Sequence, residues 1–210
     1  MNVLFLDTET TGLPLWKEPS HHPGQPHIVQ LAALMVNVDT RKTVATIDLT
    51  IRPEGWTIPD ETAAIHGVTT EHALDVGVPE SMALRLFIEM WTRCAFRVAH
   101  NAPFDARILR IALTRHLPDL ADSYKAGAEQ CTQALSTPVL NLPPSEKMRA
   151  VGRTHAKSAN LREAYEFFMG KPLEGAHTAL ADAQACRDVW LAINAPRPCP
   201  IPLKGESWTK

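Results

Sequence analysis

Residues 3–13 read VLFLDTETTGL, an apolar run that leads directly into two acids. Strand side chains alternate faces with period two, so Asp7 and Glu9 point one way and Thr8 the other. Val3 to Leu6 is apolar on both faces and reads as a central strand, not an edge in water. Two carboxylates side by side at the end of such a strand repel each other and lose hydration. A divalent cation offsets both costs, because hard cations take carboxylate oxygens. The alternative is a solvated turn carrying both acids, with Thr10, Thr11 and Gly12 as turn residues. The pair alone does not choose between these readings.

The rest of the chain narrows the class. A length of 210 residues implies one domain with a self-sufficient core. The formal charge of −2 provides no global field for polyanions, so nucleic-acid binding must come from a local patch. Cys94, Cys131, Cys186 and Cys199 are widely spaced with no CxxC pair, which predicts free thiols in a reducing compartment rather than a disulfide frame or zinc site. The N-terminus lacks a signal-peptide pattern, and no apolar run spans a bilayer. The expectation is a cytoplasmic protein with no membrane segment.

Residues 14–27, rich in Pro, Gly and His, predict a solvated loop. Residues 28–38 and 43–52 are β-rich and joined by Asp39 to Lys42, a hairpin signal that makes a three-stranded antiparallel start with the first strand. A short helix is predicted from Pro59 to His66, ending at Gly67. A helix with a broad apolar face covers 79–93. A short strand, Ala95 to Ala99, is interrupted by Arg97, and a helix runs from Pro103 to about His116. Residues 117–127 read as a connection, 128–135 as weak helix or strand, and 136–156 as a long surface loop. Helices follow over 158–169 and 178–194. The domain assignment is 1–195, followed by a proline-rich tail over 196–210. This order predicts an α/β domain with a mixed central β-sheet flanked by helices on both faces.

Acids and histidines recur at the ends of these elements. Asp105 falls in the first turn after HNAPF, where a helix dipole alone would also favour it. In EGAHTALAD, His177 and Asp182 lie five residues apart, a rotation of about 140° if both were helical. The small residues around Gly175 start the helix near His177, so His177 belongs to the entry loop and Asp182 to the helix one turn in. As structural alternatives, Asp182 is a surface acid near Arg187 and His177 a cap.

Taken in order, DTETTGL, HNAPFD and HTALAD resemble the three exonuclease motifs of the DnaQ-like DEDDh family, which includes proofreading epsilon subunits, RNase T and oligoribonuclease. The resemblance covers roughly residues 1–194, and IHGVT at 65–69 fits a segment such enzymes often carry. It implies a ribonuclease H-like fold and 3′→5′ hydrolysis of phosphodiesters, releasing nucleoside 5′-monophosphates. It implies Asp7, Glu9, Asp105 and Asp182 as ligands of two Mg²⁺ ions, with Mn²⁺ able to substitute, and His177 as general base. Asp7 would bridge both ions; Glu9 and Asp182 would serve the nucleophile side. An unperturbed histidine titrates near pH 6.5, which suits that role.

The resemblance also assigns substrate contacts to Thr10, Thr11, Gly12 and Leu13, with Leu13 a wedge against the last base or an ordinary core residue. His66, Asn101 and Phe104 are weaker candidates; Asn101 is equally a helix cap and Phe104 more often a core side chain. Lys147, Arg149, Arg153, Lys157 and Arg162 form an acid-free basic run, read as a phosphate-tracking patch or as a solvated charged loop. The implied partner is nucleic acid with a free 3′ end, DNA ahead of RNA, with a polymerase or other replication or repair protein as a second partner. The family contains both dimers and monomers, and these residues do not choose between them. The competing readings are an exoribonuclease and a catalytically silent scaffold with a nuclease fold.

Overall fold

The computed structural model describes residues 1–195, so the proline-rich stretch 196–210 lies outside the described residues. Among the described residues, five strands form one sheet in the order β3-β2-β1-β4-β5. Strands β1 (Asn2–Thr10), β2 (Ile28–Asn37) and β3 (Lys42–Thr50) make the expected antiparallel start, and β4 (Arg97–Ala99) and β5 (Glu129–Cys131) add in parallel beyond β1. The apolar first strand is therefore central.

Its alternation sorts the core into two layers. Leu4 and Leu6 pack with α3 (Glu80–Trp91) and α4 (Ala102–His116). Val3 and Phe5 pack on α9 (Ala179–Ile193), where Ala179, Ala183 and Cys186 let the helix approach closely. Helix α8 (Leu161–Met169) backs α9 through Ala164, Tyr165, Ala185 and Val189.

Several elements differ from the sequence expectation. Helix α2 (Thr70–Val76) follows α1 (Asp60–His66) after Gly67, and the Thr69 side chain accepts the His72 amide at its start. The expected connection 117–127 contains α5 (Pro118–Ala126), with proline in its first turn. The expected loop 136–156 holds most of α6 (Thr132–Leu140) and all of α7 (Glu146–Ala150). Pro138 sits inside α6 near its end, where Ser136 and Thr137 hydroxyls donate back to the carbonyls of Thr132 and Gln133.

Arg97 does not interrupt β4. It is 3% exposed, paired with Glu129 at 2.8 Å, bonded to the Tyr124 carbonyl at 2.7 Å and stacked over the Tyr124 ring at 4.0 Å. The loop 14–27 is not merely solvated. Gln25 is buried and bonds the backbone of Leu15 and Pro19, while His27 stacks on Trp56 with centroids 4.5 Å apart.

Candidate metal and nuclease site

The period-two reading of β1 sets the site. Asp7 and Glu9 leave the strand on the α9 side, and Asp182, one turn into α9, meets them there. Carboxylate oxygens of Asp7, Glu9 and Asp182 lie within 4.8 Å of one another. Thr8 leaves the opposite face, and its hydroxyl donates to Asp105 Oδ1 at 2.8 Å. Asp105 is 2% exposed in the first turn of α4, outside the three-acid group but close enough to raise the Asp7 carboxyl.

Gln30, opposite Glu9 on β2, accepts the Ala179 amide at 3.1 Å and donates to Asp48 at 2.8 Å. This fastens the start of α9 to the sheet and fixes the height of Asp182. Sequence reasoning passed over Gln30, because its partner amide lies 149 residues away.

The electrostatics follow from crowding. Burial, then the charges of Asp105, Asp182 and Glu9, hold the Asp7 carboxyl well above the usual carboxylate range. Burial, then Asp182, pushes Glu9 up to about 7. Burial raises Asp105 to about 7 despite the Thr8 hydrogen bond that opposes it. Burial also raises Asp182, against the lowering effects of His177 and Arg162. Asp182 Oδ1 is buried with no hydrogen-bond partner. A buried carboxylate oxygen left unsatisfied, beside two other carboxylates, has the donor chemistry of a hard divalent cation such as Mg²⁺ or Ca²⁺.

His177 lies outside the helix in left-handed backbone, φ 70°, and is exposed. Its amide is 3.4 Å from Asp182 Oδ2, and its side chain lines a cavity of about 310 Å³ with Asn160, Arg162 and Asp182. Arg162, from the basic run, thus reaches the site. Lys157 is paired with Glu163, and Lys147, Arg149 and Arg153 are exposed on and beside α7.

The remaining candidates divide. Thr10 donates to the Gly12 carbonyl at 2.9 Å, and Thr11 both accepts and donates on the His27 backbone, so the turn after β1 is tied down. That turn presents Leu13, which is 78% exposed and not a core residue. Asn101 starts α4 in left-handed backbone, exposed, and its side chain makes no cap hydrogen bond, contrary to the capping alternative. Phe104 packs half-buried against the core. His66 is buried, accepts the Val68 amide and leaves Nε2 without a partner.

This arrangement defines a class: an α/β domain with a mixed sheet and an acidic, cation-suited cluster at the end of its central strand. The exonuclease family model, that of RNase T, matches residues 4–189, and the chain belongs to that family. It is thus an exonuclease domain of the DnaQ-like type that its three motifs resemble. A DNA polymerase III subunit epsilon-like protein of Rhodobacter capsulatus is 33% identical over 110 residues, 52% of this chain and 14% of that protein. Escherichia coli exonuclease I, solved with a dA16 oligonucleotide, superposes over 94% of this chain and 41% of its own at 17% identity, TM-score 0.68. Exonuclease I of Methylocaldum szegediense superposes over the same shares at 19% identity, TM-score 0.68. The fold is that of exonuclease I, ribonuclease H-like. The chain spans well under half the length of each of these relatives.

Proposed function

We propose that the chain is a divalent-metal-dependent 3′→5′ exonuclease on single-stranded or frayed DNA ends, releasing nucleoside 5′-monophosphates. The observation that carries the reading is the cluster of Asp7, Glu9 and Asp182 around the unsatisfied Asp182 Oδ1, in a chain of the exonuclease family. Asp7, Glu9 and Asp182, with Asp105 reached through Asp7, are the residues that would hold two Mg²⁺ ions, with Mn²⁺ substituting. Bound there, the ions supply Lewis acidity toward water and the phosphoryl oxygens.

The chain's own groups do the rest. Thr8 orients Asp105 through its 2.8 Å hydrogen bond. Gln30 fixes the start of α9 and with it Asp182. His177, at the cavity rim, takes the proton of the attacking water on its imidazole. Exposed Leu13, on its tied turn, stacks against the terminal base, and Thr10, Thr11 and Gly12 offer backbone beside it. Asn101 flanks the strand at the start of α4. Phe104 and His66 support this surface from within rather than touching substrate.

DNA is favoured over RNA by the epsilon-like relative and by the oligonucleotide bound in the exonuclease I structures. The epsilon-like relative also supports a polymerase as partner. Intact acids and histidine argue against a silent scaffold. Cys94, Cys131 and Cys186 are free thiols, which suits the cytoplasm, and no described helix is long and apolar enough to cross a membrane. Asp7→Ala should abolish metal-dependent hydrolysis; turnover near that of the parent would remove Asp7 from the ligand set.

A further inference from the structure

A second cluster of like charges lies away from the acids, and it is cationic. Arg107 and Arg110 stand three residues apart on one face of α4, which brings their guanidinium groups together. With Arg97, Lys125, Trp16 and Glu129 they line a cleft of about 260 Å³ between α4, the end of α5 and the loop 14–27. Four cations face one carboxylate there, and Glu129 is already engaged by Arg97 at 2.8 Å. Arg107 is 8% exposed and donates to Ser20 Oγ and to the Leu15 and Glu18 carbonyls, yet its Nε is buried with no partner. Arg110 Nε is buried and unpartnered too. The side chains of Arg110 and Lys125 make no hydrogen bond or ion pair among the described residues. Burial and the Arg110 charge both lower the pKa of Arg107, as expected of two guanidinium groups with no anion between them. Trp16, 59% exposed, forms the aromatic edge of the cleft.

We propose that this cleft is a second nucleic-acid site, which takes a phosphodiester of the single strand on Arg107, Arg110 and Lys125 and stacks a base on Trp16. A phosphate supplies the oxygens that the Arg110 guanidinium and the Arg107 Nε lack, and Arg is suited to bidentate recognition of it. Aromatic faces beside a basic groove are the usual means of holding single strands without sequence preference.

The cleft is also joined to the candidate catalytic surface. Pro103, in the first turn of α4, borders both it and a cavity of about 650 Å³ beside Asn101, while Asp105 stands on the same helix. Arg107 is turned about 200° from Asp105 around the helix. A strand whose 3′ end lies at the acids therefore passes around the start of α4 to reach the cleft. This route rests on the exonuclease reading, but binding in EDTA, where turnover is blocked, tests the cleft separately.

The test is fluorescence anisotropy with a 5′-labelled thymidylate oligomer of about twelve nucleotides, titrated in EDTA at several salt concentrations. The double variant Arg110→Gln/Lys125→Gln should bind about tenfold more weakly, with a salt slope flatter by about 0.7, the loss of one neutralised phosphate. Trp16→Ala should weaken binding by about tenfold through lost stacking. Arg93→Gln, exposed just beyond the end of α3 and paired with Glu89, should bind as the parent does. Parent-like affinity and slope in the double variant would overturn the proposal. So would displacement of the strand by an oligoglutamate peptide of equal charge at equal concentration, which would identify an acidic protein segment as occupant. Thermal melts accompany each variant. If the double variant does not fold, Lys125→Gln and Trp16→Ala, both at exposed positions, decide the matter, and parent-like binding by both overturns it.

Discussion

Replacing Glu9 by glutamine should make the metal-free protein more stable, although it removes a candidate catalytic group. Burial and the neighbouring Asp182 raise the Glu9 carboxyl from 4.5 to about 7 in the folded chain. An acid whose folded pKa lies above its unfolded value contributes full stability below the unfolded value, and that contribution is lost as pH rises through the folded one. The window runs from 4.5 to about 7. Above it, the ionised folded group costs about 3 kcal/mol, reduced to about 2 kcal/mol because Glu9 keeps some solvent contact. Glu9→Gln removes that cost. In EDTA near pH 8, the variant should exceed the parent by about 2 kcal/mol, a rise in Tm of about 4–8 °C for a domain of this size. Near pH 4.5 the two should converge, since the parent carboxyl is then protonated when folded. Saturating Mg²⁺ should reverse the order, since a ligand at a hundred times its Kd stabilises the parent by about 2.7 kcal/mol. Urea unfolding across this range, with and without EDTA, is the assay. A variant no more stable than the parent at high pH, or a gap that does not change with pH, would refute the reasoning.

His177→Ala should lower kcat by roughly a hundredfold or more while KM moves little, as loss of a general base requires; a change confined to KM would assign His177 to binding. Thr8→Val removes the hydrogen bond that holds Asp105 down. The acidic limb of the pH–rate profile should then move up by about 0.7 pH units, equivalent to about 1 kcal/mol. Glu80 tests the scaffold behind the site: burial raises its carboxyl, but hydrogen bonds from His116 and His27 and the charge of Arg115 outweigh this and hold it at about 2. Its contribution is present above 4.5 and lost as pH falls toward about 2. Glu80→Gln should therefore cost about 3 kcal/mol in urea unfolding near pH 6 and distinctly less near pH 3.

The central strand, the hairpin and the long helices were legible because each carries its own periodicity, and period two alone sent Asp7 and Glu9 to one face. The elements that escaped are short, and each had a local signal. Pro118 opens α5 as Pro103 opens α4, and Thr69 caps α2. Pro138 read as a loop residue, yet α6 absorbs it near its end, beside back-bonding hydroxyls. Arg97 looked like an interruption because its carboxylate and ring partners are 32 and 27 residues away. In the candidate site, the acids stood out as types at element ends, whereas no motif announces the tertiary contacts between them. Gln30 reaching Ala179 and Thr8 reaching Asp105 exist only once the sheet and helices assemble. Leu13 shows the reverse: its residue type says core, and only the tied turn leaves it exposed.

The measurement that bears most directly on the whole account uses the purified chain with 5′-labelled single-stranded DNA and the matching RNA, in Mg²⁺ and in EDTA. The account predicts a ladder that shortens from the 3′ end, faster on DNA, abolished by EDTA and restored by Mn²⁺. No shortening of either strand with either metal would contradict it.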